Sequence, residues 1–206
     1  MKRLVVCIAA LCLATVISAD TGGDDDKDIP ESKNPLANGF GDFIDWVSWE
    51  DARDIAKAEK KPIMLLIHKS WCGACKALKA KFNQASAQKV LKEHAEDFIM
   101  TNTADDDEPW EEDFAPDGKY IPRIMFLDPN GRLIKEVVNP KADFESYKYY
   151  YTNPGQIVSS MKQTLEILEK RKKQSEKLSA PPGAKPPKPK QPGSGEKKDK
   201  KKKKEL

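Results

Sequence analysis

The sequence predicts an α/β domain in which a central mixed β-sheet is flanked by helices. Three observations lead there. Apolar segments follow one another in the order helix, strand, helix, strand, hairpin, helix. A turn signal, Pro129-Asn130-Gly131, separates two apolar runs as in a β-hairpin. A close pair of cysteines stands where the first central strand gives way to a helix.

Each element has its own warrant. Ser48-Trp49-Glu50-Asp51 is a capping-box pattern that opens a helix, with Ala52, Ile55, Ala56 and Ala58 free to pack and Pro62 just past its end. Residues 63–67 are continuously apolar, which predicts a short strand buried on both faces. Helix formers over residues 76–82 and 86–94 predict two further helices, and residues 98–101 a second strand. An acidic connection over residues 105–117 holds eight carboxylates and two prolines but lacks the glycine of a calcium loop, so it reads as an exposed loop. Residues 123–127 and 133–138 read as the two hairpin strands. Ile157, Met161, Leu165 and Leu168 form one apolar stripe on a long final helix.

The ends of the chain do not read as part of that domain, which is expected over residues 39–170. Lys2 and Arg3 precede an unbroken apolar run over residues 4–14, and small side chains close residues 1–19 as a signal peptide. The run falls short of the ~20 apolar residues that span a bilayer, so no membrane span is expected. Residues 20–38 are acidic and without periodicity, which predicts a linker. Residues 171–206 carry 14 Lys/Arg against 4 Asp/Glu and are interrupted by prolines at 181, 182, 186, 187, 189 and 192. Such a segment buries no core and predicts a disordered, solvated tail. It has no aromatic residues to stack on bases, so nucleic acid is not an expected partner. Binding of the tail to an anionic surface remains a competing reading, one that predicts strong salt dependence. Its last four residues, Lys203-Lys204-Glu205-Leu206, are a variant of the Lys-Asp-Glu-Leu signal. With the leader, they predict the lumen of the endoplasmic reticulum and a retention receptor as partner.

Cysteine usage narrows the function. Of four cysteines, Cys7 and Cys12 lie in the leader, which leaves Cys72 and Cys75 in the mature chain. A secreted domain stapled by disulfides spreads its cysteines along the sequence. This pair is therefore functional. A zinc site wants four ligands, and His68 and the distant His94 do not complete one, so no metal and no cofactor are expected.

Thiol–disulfide exchange needs one thiolate that attacks and a second thiol that resolves the mixed disulfide. In Trp71-Cys72-Gly73-Ala74-Cys75-Lys76, two intervening residues at a helix start expose the first sulfur and shelter the second. Backbone N–H groups and the helix dipole favour negative charge at Cys72, the candidate nucleophile, with Cys75 as the resolving thiol. Between residues 60 and 92 there are eight lysines and no carboxylate, and His68 adds to the same field. That field predicts a more oxidising site than a cytosolic thioredoxin's. His68 itself reads as packing beside the strand end, and Trp71 as a lid over the site.

The Trp-Cys-Gly-x-Cys-Lys motif after a buried strand, with Ile121-Pro122 ahead of a later one, is similar to the thioredoxin superfamily. The resemblance implies that Pro122 is a cis-proline facing the redox pair and that Ile121 pairs with the substrate backbone by strand addition. Further segments extend it over residues 39–168: Gly39-Phe40-Gly41-Asp42, His68-Lys69-Ser70, Asp113-Phe114-Ala115-Pro116-Asp117-Gly118, Phe126-Leu127-Asp128-Pro129 and Ser146-Tyr147-Lys148-Tyr149. These resemble the small endoplasmic-reticulum members related to the anterior gradient proteins. They imply a protein disulfide oxidoreductase that exchanges with client proteins and with glutathione. The sequence departs from many thioredoxins at Leu66, six residues before the first cysteine, where a buried carboxylate is common. Proton transfer at Cys75 then needs water or another group such as a lysine. The rival reading is a redox-regulated client-binding module or chaperone without turnover. A monomer with weak isomerase activity is the default.

Overall fold

The computed structural model describes residues 33–142 and 145–179. The leader over residues 1–19, most of the linker and the retention signal at Lys203 to Leu206 lie outside the described residues. The elements are β1 (Trp46–Val47), α1 (Trp49–Glu59), β2 (Ile63–His68), α2 (Gly73–Phe82), α3 (Ala85–Ala95), β3 (Ile99–Ala104), β4 (Arg123–Leu127) and α4 (Pro154–Ser179).

The sheet runs β1-β3-β2-β4, with β1, β3 and β2 parallel and β4 antiparallel to β2. This is the mixed α/β sheet the sequence predicts. The central strand β2 is buried along its whole length, which explains its continuous apolar run. Successive side chains of a strand point to opposite faces, and the core divides accordingly. Met64 and Leu66 join Met100, Ile124 and Phe126 in one cluster with Phe40, Leu78, Phe82, Leu91, Ile157 and Met161. Helices α2, α3 and α4 thus cover that face. Ile63, Leu65 and Ile67 join Ile99, Met125 and Leu127 on the other, under Ala52 and Ala56 of α1.

Helix α1 opens as its sequence predicts: the Ser48 side chain accepts the N–H of Asp51 at 3.1 Å. It closes at Lys60, whose φ of 56° is left-handed, just before Pro62. The hairpin forms at Asp128, whose carboxylate accepts the N–H groups of Asn130 and Arg132. The second strand that the sequence predicts over residues 133–138 does not form. Only Leu127 and Leu133 pair as a bridge, and the chain turns with Val137 N–H donating to Ile134 O at 3.0 Å. Packing is the reason. In a continued strand, Ile134 and Val137 would face opposite sides, whereas the turn brings both into one cluster.

Two boundaries also differ from the composition reading. Ala37 is in the core, and Asn34 donates from its side-chain amide to Trp46 O at 3.2 Å, so the packed domain includes part of the predicted linker. Helix α4 continues to Ser179, past residue 170, as an exposed arm. Its residues 169–179 are mostly strong helix formers, and Lys173 pairs with Glu169 at 3.2 Å one turn earlier.

Because Leu66 is fully buried in the centre of the sheet, Leu66→Ala should destabilise the chain by about 2–5 kcal/mol. The midpoint of urea unfolding measures this, with an unchanged slope if only packing is lost.

Candidate redox site

The topology brings three loops to one end of the sheet. Strands β2 and β3 run parallel, so the loops after His68 and Ala104, which are paired in register, leave side by side. Strand β4 runs the other way, so its start meets the end of β2, with Arg123 opposite Ile67. The first loop carries the cysteines, the second the acidic connection and the third Ile121-Pro122.

Cys72 occupies the N-cap of α2 in an extended conformation, and its Sγ accepts the N–H of Cys75 at 3.1 Å. A sulfur therefore stands where Ser or Asp would cap the helix, at the positive end of its dipole. The Ile121–Pro122 peptide is cis, and Ile121 O lies 4.0 Å from Cys72 Sγ. Both sulfurs are free thiols, and both are buried: Cys72, expected to be exposed, is 7 % exposed because it sits against the Ile121 loop, and Cys75 is 1 % exposed. Burial, reinforced by its contact with Cys72, pushes the Cys75 thiol up to about 12. A Cβ placed on Gly73 would meet nothing within 4 Å, so the helix start is open to an incoming chain. The structure thus brings together Cys72, Cys75, Ile121 and Pro122. Trp71, expected as a lid over the site, is 73 % exposed.

The electrostatics differ from the sequence reading. His68 is buried against the Phe40 ring, with centroids 4.8 Å apart, and its Nε2 bonds Asn102 Oδ1 at 3.1 Å. Desolvation lowers its pKa, so it adds no positive charge near neutral pH. Lys79, one turn after Cys75 on α2, is half-buried with Nζ 5.4 Å from the Phe40 ring centroid. Burial lowers its pKa, while the charge of an ionised Cys75 raises it.

The acidic connection is not simply an exposed loop. The Asp105 carboxylate accepts the N–H of Ser70 at 2.9 Å and its hydroxyl at 3.1 Å. The Ser70 N–H bond holds that carboxyl below its usual range. Glu108 bridges two loops: one oxygen is 2.7 Å from Lys69 Nζ and the other pairs with Arg123. Arg123 is buried beside the cis-proline and also donates to Phe114 O and Tyr120 O. Burial alone would raise the Glu108 pKa, but hydrogen bonds and charge from Lys69 and Arg123 outweigh it and hold it low. Glu108 therefore fixes the cysteine loop against the cis-proline loop. The sequence reading missed Asp105 and Glu108, although a parallel pairing of β2 with β3 would have placed them beside Lys69. Among the described residues, no group of three or more His, Cys, Asp or Glu is placed to hold a metal ion.

Comparison with known proteins places the chain among relatives. Residues 45–129 match a protein family described as thioredoxin-like. Anterior gradient protein 3 of Mus musculus is 30 % identical over 161 residues, covering 78 % of this chain and 94 % of the relative. Anterior gradient protein 2-B of Xenopus laevis is 32 % identical, with 69 % and 86 % covered. Among solved structures, one titled DsbH Oxidoreductase aligns with a TM-score of 0.41 at 20 % identity, covering 60 % of this chain and 85 % of the other.

Replacing Glu108 by Gln leaves the buried Arg123 without its counter-charge and should cost roughly 2 kcal/mol or more at pH 7. A carboxylate held low in the folded state stabilises above its unfolded pKa, near 4.5, and loses that contribution as pH falls through its folded value. Urea titrations should show the gap between the parent chain and Glu108→Gln narrowing as pH falls below 4.5.

Proposed function

Because the chain belongs to the anterior gradient family of thioredoxin-like proteins, we propose that it is a protein thiol–disulfide oxidoreductase of the endoplasmic reticulum lumen. One observation carries the reading: the Cys72 sulfur caps α2 beside cis Ile121–Pro122, with a buried thiol one turn behind it. The site is shaped for a strand-like client that pairs with the Ile121 backbone and presents a disulfide to Cys72.

The Cys72 thiolate attacks one client sulfur and forms a mixed disulfide, while the second client sulfur leaves as a thiolate and takes up a proton. Cys75 then loses its proton and attacks Cys72 Sγ, which releases the client's first sulfur. The client gains two electrons, and Cys72–Cys75 becomes the disulfide. Two glutathione thiols restore the dithiol and leave as glutathione disulfide. In reverse, the same steps oxidise a client.

The resolving step is the demanding one, because the Cys75 thiol is held up near 12 and Leu66 supplies no carboxylate. Lys79 is the positive group whose field reaches Cys75, and its charge stabilises the thiolate as the proton leaves to water. Glutathione as the small thiol is supported by the likeness of the quoted segments to thioredoxin domain-containing protein 12. The luminal location and a retention receptor are supported by residues 1–19 and the Lys203 to Leu206 ending.

The test is reduction of a disulfide peptide by reduced glutathione, with and without the chain. Catalysis should vanish in Cys72→Ser, and Cys75→Ser should stop as a mixed disulfide at Cys72 that mass spectrometry detects. Client binding that persists without any catalysis by the parent chain would favour a holding module instead. In single-turnover mixing, Lys79→Met should slow release from the mixed disulfide roughly tenfold without changing how fast that disulfide forms.

A further inference from the structure

Ile121 has a second face to its role. Its carbonyl lies 4.0 Å from Cys72 Sγ, and it also lines a cavity of about 330 Å³ with Tyr120, Tyr147, Tyr150, Asn139 and Lys141. We propose that this cavity receives an aromatic side chain of the client polypeptide, close in sequence to the cysteine that Cys72 attacks. The proposal rests on the oxidoreductase reading and names the clients it prefers.

Continuity with the reacting centre argues for a client as the occupant. A strand paired with the Ile121 backbone advances only ~3.3 Å per residue, with side chains alternating between its two faces. Once its cysteine is at Cys72, a neighbouring side chain falls over the cavity that Ile121 borders. A cavity of this volume is within the range of sites that bind a ligand specifically.

The walls argue for an aromatic ring. Tyr120 meets Tyr147 edge to face with centroids 4.9 Å apart, and Tyr150 likewise at 6.5 Å. An incoming ring extends this arrangement with the offset or edge-on contacts that aromatic groups prefer. Tyr147 is 46 % exposed at the mouth of the cavity. Tyrosine contacts also lose little rotamer freedom on binding.

The cavity is pre-formed. The Tyr120 hydroxyl donates to the Asp117 carboxylate and accepts the N–H of Tyr149 at 2.9 Å. Asn139 donates from its side-chain amide to Tyr150 O at 2.7 Å, and Tyr150 N–H donates to Tyr147 O at 3.1 Å. Two other occupants fit less well. Glutathione carries two carboxylates and an ammonium group, whereas Lys141 is the one charged side chain among the described lining residues. The basic tail beyond residue 179 and the acidic segment over residues 20–32 contain no aromatic residue to place there.

The experiment compares two disulfide peptides that differ only in Phe or Gly beside the reactive cysteine, with the full chain and glutathione as reductant. The ratio of their kcat/KM values is the readout. The parent chain should prefer the Phe peptide by roughly tenfold, and Tyr147→Ala and Tyr150→Ala should each bring the ratio towards one. Because Tyr147 is largely exposed, its truncation tests the cavity without disturbing the core. A parent ratio near one, or a ratio that neither variant changes, overturns the proposal while leaving the oxidoreductase reading intact. Absence of turnover of both peptides by the parent chain overturns that reading, and this proposal with it.

Discussion

One sulfur has to satisfy two geometries at once, and the rest of the site is arranged around it. Cys72 Sγ accepts the N–H of Cys75 as the cap of α2 and at the same time lies beside the Ile121 carbonyl. The first condition requires β2 to end at His68 and the helix to begin at Gly73. The second requires the chain to return more than forty residues later with a cis bond ahead of β4. Parallel pairing of β2 with β3 and antiparallel pairing with β4 are what bring those loops to one end. The Lys69–Glu108–Arg123 bridge then ties them together.

Charge near the sulfurs is more selective than the lysine-rich sequence suggests. Lys69 is engaged by Glu108 and by the Asp105 carbonyl, and desolvation leaves His68 neutral near pH 7. Lys79 is different. Its stem packs against Gly39, its ammonium group lies over Phe40, and its field reaches Cys75. With Leu66 in place of a buried carboxylate, no negative group lies beneath the pair on that strand. The helix N-terminus above the first sulfur favours the dithiol over the disulfide, while Lys79 acts on the Cys75 thiolate that forms only in the resolving step.

The sequence was most legible where a residue's role is local. The Ser48 cap, the buried run of β2, the cysteine spacing and the stripe of α4 each follow from neighbours within one or two turns. It was least legible where distant segments meet. The two-residue strand β1 has too few side chains to show a period, and its pairing with β3 defines it. The second hairpin strand expected over residues 133–138 does not form beyond the Leu133 bridge, because Ile134 and Val137 reach the same cluster only where the chain turns between them. The acidic connection looks solvated because no local pattern marks Glu108 as the partner of Arg123. Trp71 shows the same limit: adjacency to Cys72 in sequence does not reveal that its side chain is 73 % exposed.

Stabilisation of the reduced pair is what these surroundings should produce. Its most direct test is the Cys72–Cys75 reduction potential, obtained by equilibrating the chain with glutathione buffers of graded ratio. A value nearer that of protein disulfide isomerase, about −180 mV, than that of thioredoxin, about −270 mV, is expected. A potential at or below thioredoxin's would contradict this, and would mean that the helix cap does not set the redox balance of this site.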